Sequence, residues 1–186
     1  TEAINKWGKC RTGAITMYGA GVGVYGNSGY AYTGSTPSKL KKRIEEANSS
    51  NAEITDINIT ENGNYVIILG GSGYWTLGYP DAFLKKLEQY RTGDLRDDNI
   101  LSACFNDRGE WVVITDKHYS YSNETIKNFI LKAEELYEEV YYAYITNYGM
   151  IACCKNGVYY KNIPSNLAEA LKKLTFKPKV IKFTDN

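Results

Sequence analysis

The residues of this chain that nucleophilic chemistry would need are one histidine, His118, and four cysteines, Cys10, Cys104, Cys153 and Cys154. His118 follows Asp116 in "TDKHYSY", and an imidazole near a carboxylate titrates close to neutrality. Paired with Cys104 or Cys153 it would make a thiol hydrolase, although neither cysteine lies in a nucleophile motif. The competing reading of His118 is a polar turn residue. No C-x-x-C pair announces zinc or a redox site, and Cys153 and Cys154 are neighbours on a predicted strand, so their side chains point to opposite faces. Buried, reduced thiols are the expectation for such cysteines, with one disulfide as the alternative.

Three further patterns fall short of a site. "GAGVGVYG" holds G-x-G-x-x-G at Gly21, Gly23 and Gly26, but a dinucleotide site needs a helix directly after it, and "NSGYAYTG" follows. The acidic runs Asp94–Asp98 and Glu134–Glu139 lack the alternating oxygen ligands and turn glycine of a calcium loop, and read as a polar loop and a solvated helix face. Asn48, Asn58 and Asn123 each open an N-x-[ST] triplet, a frequent coincidence in an Asn-rich chain. Nothing calls for a cofactor or a metal.

The elements that would position these residues are written four times. Gly29, Gly73 and Gly157 each follow Ser or Asn and precede an aromatic strand, and His118 stands at the corresponding place in a third copy, giving a period of about 43 residues. Each copy carries a first strand ("AEITDINIT", "NILSACFND", "YYAYITN") and a polar turn. A more apolar second strand follows ("VGVY", "YVIIL", "WVVIT", "MIACC"), then an aromatic third strand ("GYAYTG", "GYWTLG", "HYSYS", "GVYYKN") and a helix. Pro37, Pro80 and Pro164 are expected in the first helical turn, and Ser122-Asn123-Glu124 caps the remaining helix. In copy two this predicts antiparallel strands over 54–60, 64–70 and 73–77 and a helix over about 80–90.

Copies are therefore read at about 14–53, 54–99, 100–142 and 143–179. "VIKFTDN", residues 180–186, repeats a first strand and turn and is expected to pair with the N-terminal segment as a closing strand. The fold class is α+β: four tandem β-β-β-α units in one domain, antiparallel sheets, closed into a ring because one helix on one small sheet buries little alone.

The pattern of apolar strand, G-x-N-G-Y/V, then P-x-x-L resembles tandem repeats of uncharacterised bacterial proteins. Its clearest instance is "CCKNGVYYKNIPSNLAEALKKL", and the likeness spans about residues 14–183. It implies architecture and no activity. The pentein ring is an analogy at the level of fold.

Seventeen Tyr and seventeen Gly fit a chain built of hairpins. A formal charge of +1 gives no field to recruit nucleic acid, and no apolar run reaches a membrane span. No signal-peptide core opens the chain, and the compartment, cytoplasmic or secreted, stays open. The third strands offer Tyr30, Tyr32, Tyr74, Trp75, Tyr119, Tyr121, Tyr159 and Tyr160 as candidate ligand-binding residues, since phenols suit glycan and protein surfaces. The competing reading packs these rings beneath the helices. The functional expectation is a non-catalytic binding or interaction module for a glycan or a protein, with a His118-centred hydrolase or a structural subunit, including a homo-oligomer, as alternatives.

Overall fold

The structure is a computed structural model that describes residues 2–186. After a short helix α1 (Glu2–Trp7), the same four-element unit recurs four times. The units are β1 (Cys10–Ile15), β2 (Gly21–Tyr25), β3 (Gly29–Tyr32) and α2 (Ser38–Ser49); β4 (Ile54–Ile59), β5 (Tyr65–Leu69), β6 (Gly73–Leu77) and α3 (Asp81–Arg91); β7 (Ile100–Phe105), β8 (Trp111–Thr115), β9 (Tyr119–Tyr121) and α4 (Glu124–Tyr137); and β10 (Val140–Ile145), β11 (Met150–Cys154), β12 (Gly157–Lys161) and α5 (Ser165–Lys172). Each unit is a separate three-stranded antiparallel meander, its strands in sequence order. The register repeats: a bulge follows the first residue of every first strand, at Cys10, Ile54, Ile100 and Val140.

Two details depart from the sequence expectation. Copy one has a first strand, β1, although "CRTGAI" carries little apolar signal. Pro37, Pro80 and Pro164 stand at the helix N-cap, one position before the first turn. Asn123 caps α4 as expected, its Oδ1 accepting from Ile126 N–H at 2.9 Å.

Each internal helix is held between two sheets. Leu40, Ile44 and Ala47 of α2 share one core with Val22 and Val24 of their own sheet and with Tyr65 and Ile67 of the next. Phe83, Leu87 and Tyr90 of α3 likewise join Val66 and Ile68 to Phe105, Trp111 and Val113. Ile126, Ile130 and Ala133 of α4 join Val112 and Ile114 to Ile145 and Ala152. Both sheet faces are thus buried, which is why the second strands read as continuous apolar runs.

The first strands touch in series, β1 on β4, β4 on β7 and β7 on β10, without a backbone ladder. Side chains satisfy the main chain instead. Asn58 Nδ2 donates to Ala103 O (2.7 Å), Ala103 N–H to Asp56 (3.2 Å), and Ser102 both donates to Ala143 O and accepts from Ala143 N–H.

Among the described residues no sheet closes on itself, and the closing strand expected over 180–186 is not formed. The segment returns to copies one and two by a side chain: Lys182 Nζ donates to Thr12 Oγ1 (3.2 Å) in copy one and to Asp56 Oδ1 (2.9 Å) and Ile57 O (2.6 Å) in copy two. The ammonium takes up the contacts that a ladder would have supplied, so the link is polar and local. Among the described residues no helix is long and apolar enough to cross a membrane.

Candidate functional site

The turns between first and second strands gather at one end of the array. Gly63 (φ 84°) and Gly109 (φ 81°) close two of them in the left-handed region, where a side chain would be strained. Each turn reaches the one before it. Glu61 accepts Met17 N–H at 3.0 and 3.2 Å, Asp107 accepts Asn62 N–H at 3.2 Å, and Asn147 accepts Asp107 N–H at 3.0 Å. Thr146 Oγ1 donates to Asp185 at the equivalent place in residues 180–186. One position, Glu61, Asp107, Asn147 and Asp185, therefore links the copies at this end.

Two hollows open here. The inner one, about 20 Å³, is the size of one water and is lined by Asn58, Glu61, Cys104, Asp107 and Tyr144 among others. Asn58 Oδ1 and Asp107 Oδ1, both buried, have no protein partner in it. Burial pushes the Glu61 carboxyl up, Met17 N–H opposes the shift, and the carboxylates of Asp185 and Asp107 add to it. Burial likewise raises the Tyr144 phenol well above its ordinary value, with Cys104 and Glu61 adding to the shift.

The outer hollow, about 200 Å³, lies between the turns of copies three and four. Asn106, Arg108, Glu110, Tyr148, Lys161 and Asn162 line it. Arg108 Nη1 donates to Asn147 O at 3.0 Å and its Nε lies 3.5 Å from Glu110, so the guanidinium is held in place. Tyr148 is 72% exposed and presents a ring to solvent beside it. An aromatic face, a fixed cation and several amides around one hollow make a surface for a polar ligand.

The aromatic residues singled out from the sequence lie elsewhere, in the walls around the helices. Tyr32 donates to Glu45 of α2 (2.8 Å), Tyr74 to Glu88 of α3 (2.5 Å) and Tyr119 to Glu134 of α4 (2.9 Å). Tyr30 stacks between Trp7 and Tyr32, with centroid separations of 5.6 and 5.4 Å. Trp75 lies under Arg43 of the preceding copy, and Tyr159 stacks on Phe129 of the preceding copy at 5.0 Å. Tyr121 and Tyr160 are partly buried against the core of copies three and four. Tyr30 and Tyr32 stack on each other, and the four strands that carry the set lie in four separate sheets. Burial, with Glu88 adding to it, pushes the Tyr74 phenol up to about 12.

His118 belongs to a different cluster. Its Nδ1 lies 2.6 Å from Asp98 Oδ2, and the same oxygen accepts from Thr115 Oγ1 at 2.7 Å. Asp98 is buried while the imidazole is 53% exposed. A buried carboxylate that orients an accessible imidazole is an arrangement known from general bases. No cysteine completes it: the four are free, and burial pushes the thiols of Cys104 and Cys153 up to about 12 and that of Cys154 to about 11.

Sequence reasoning missed the end of the array. The signal was present in the recurring Thr60-Glu61, Asn106-Asp107, Thr146-Asn147 and Thr184-Asp185 pairs, which read as turn residues alone. No protein-family model, curated protein or solved structure matches the chain.

Proposed function

We propose that the protein is a non-catalytic binding module whose ligand, a glycan or a polar protein segment, seats in the outer hollow between the turns of copies three and four. The observation that carries this reading is the placement of exposed Tyr148 beside a guanidinium already fixed by Asn147 and Glu110. A ring to stack on and a pre-oriented donor fork suit sugar hydroxyls and peptide carbonyls at little ordering cost. On this reading the copies are disposed about a common axis, supported by the serial contacts of first strands and the return of Lys182 to Thr12. The tyrosine strands act as walls that fix the turns.

The test is a pair of variants, Tyr148→Ala and Arg108→Ala, screened against a glycan array and a polar peptide library. Each is expected to lose the wild-type signal while the melting temperature stays within about 2 °C, since both side chains are exposed. Unaltered binding by both variants would refute the site.

A second reading is favoured by one observation, the Asp98–His118 pair. If it is a general base, His118→Ala abolishes a hydrolytic activity and Tyr148→Ala does not.

A further inference from the structure

The outer hollow beside Tyr148 is lined by three charged side chains, Arg108, Lys161 and Glu110. Glu110 is the one carboxylate among them, and both of its oxygens are already engaged. Its Oε1 accepts from Asn106 Nδ2 at 3.0 Å and its Oε2 from Asn123 Nδ2 at 3.1 Å. The two cations have donors to spare. The Arg108 side chain, 61% exposed, gives Nη1 to Asn147 O, and its Nη2 has no protein acceptor among the described residues. Lys161 is exposed at the end of β12 and forms no ion pair among the described residues. Two cations with free donors thus stand against one carboxylate that is already satisfied.

The main chain of the two turns satisfies itself. In copy three Arg108 N–H and Glu110 N–H both donate to Asn106 Oδ1 at 3.0 Å, and Asn106 N–H donates to Glu110 O at 3.0 Å. In copy four Thr146 N–H donates to Gly149 O at 2.9 Å, and Gly149 N–H to Thr146 Oγ1 at 2.8 Å. These amides are not available to pair with the backbone of an extended peptide. A compact ring with polar substituents needs only side-chain donors and an aromatic face, which the cations and Tyr148 supply. The volume of about 200 Å³ suits a single sugar ring.

We infer that the ligand of this hollow is an anionic sugar, a pyranose ring that carries a carboxylate or a sulfate. Arg108 and Lys161 hold the negative group, and Tyr148 stacks on the C–H face of the ring. The inference rests on the binding-module reading and adds the charge of the ligand to it. Because Asn147 O already holds the guanidinium, little side-chain freedom is lost when the anion arrives.

Isothermal titration calorimetry on the full chain tests it with four probes: trigalacturonate, its neutral methyl ester, a sulfated galactose trimer and a glutamate-rich peptide. At least one of the two acidic sugars is expected to bind about tenfold more tightly than the ester, and the tighter of them names the charged group. That advantage is expected to shrink as salt is raised. Lys161→Gln is expected to weaken the acidic sugar about tenfold, with the ester and the melting temperature unaffected. Equal affinity for the ester and the acids overturns the inference and leaves the binding-module reading standing. Unaltered affinity of Lys161→Gln, tighter binding of the glutamate peptide, or binding of neither acidic sugar at millimolar concentration also overturns it. Failure of the module reading shows separately, as array signals that neither Tyr148→Ala nor Arg108→Ala changes.

Discussion

Lys182 Nζ lies 2.9 Å from Asp56 Oδ1 across 126 positions of sequence, and both side chains are almost wholly buried. Tyr142 donates to the same Asp56 oxygen at 2.7 Å, so three copies' worth of chain meets at one carboxylate. Removing the cation leaves that charge uncompensated in a site closed to water. Lys182→Met is therefore expected to cost about 3 kcal/mol, a fall in melting temperature of about 10 °C. Thermal unfolding of the single variant checks this. A change below about 1 kcal/mol would mean that residues 180–186 are not anchored as described.

Tyr119 and Tyr74 occupy the same position in their copies but carry different weight. Tyr119 Oη accepts from Val140 N–H at 3.0 Å as well as donating to Glu134, whereas Tyr74 donates to Glu88 and holds no backbone amide. Tyr119→Phe strands a partly buried amide and is expected to cost about 1–2 kcal/mol, against about 0.5 kcal/mol for Tyr74→Phe. Chemical denaturation of the two variants separates them. Equal losses would contradict the assigned bonds.

His118 stands where the other copies have glycine, yet those glycines are not there for a left-handed backbone. A Cβ on Gly29 would sit 2.2 Å from Trp7 and one on Gly157 would sit 2.5 Å from the Tyr137 ring, so close approach excludes a side chain. His118 instead holds buried Asp98. His118→Gly is expected to destabilise by about 1–2 kcal/mol, less than a fully buried pair because the imidazole is half exposed. A neutral or stabilising result would make it an ordinary turn residue.

Glu61 gives a pH dependence. Its folded pKa lies above the ordinary 4.5, so the protein favours its protonated form. Stability from this group is complete below about 4.5 and is lost as pH rises through the higher folded value. Glu61→Gln keeps an acceptor for Met17 N–H and removes the charge. It is expected to be more stable than wild type at pH 7, by a small margin because solvent screens the half-exposed carboxyl, with the difference vanishing below pH 4.5. Melting curves of both proteins between pH 3 and 8 decide it. A gap that widens in acid would contradict the sign.

The four-fold repeat was legible because strand, turn and helix signals coincide in each copy. Copy one shows where legibility stopped and why. Gly13 and Gly23 stand where Ile57 and Ile67 stand in copy two, and β1 therefore carries too little apolar pattern to read. The tyrosines were legible as a recurring set, but not the glutamates that engage them one helix later. Asp56, Tyr142 and Lys182 were not legible at all, since nothing in a strand's pattern says that polar residues so far apart share one buried site. The hollow at Tyr148 is built from two turns in different copies, and only the packing of β7 on β10 brings them together.

The claim that most needs testing is that ligand binding, and not chemistry at His118, is the work of this surface. Amide shifts in a two-dimensional ¹H–¹⁵N NMR titration with a panel of oligosaccharides and short polar peptides test it directly. The perturbed amides are expected to cluster at Arg108, Asn147, Tyr148, Gly149 and Asn162, with every added compound recovered intact. Shifts centred on Asp98 and His118, or a compound cleaved during the titration, would contradict it.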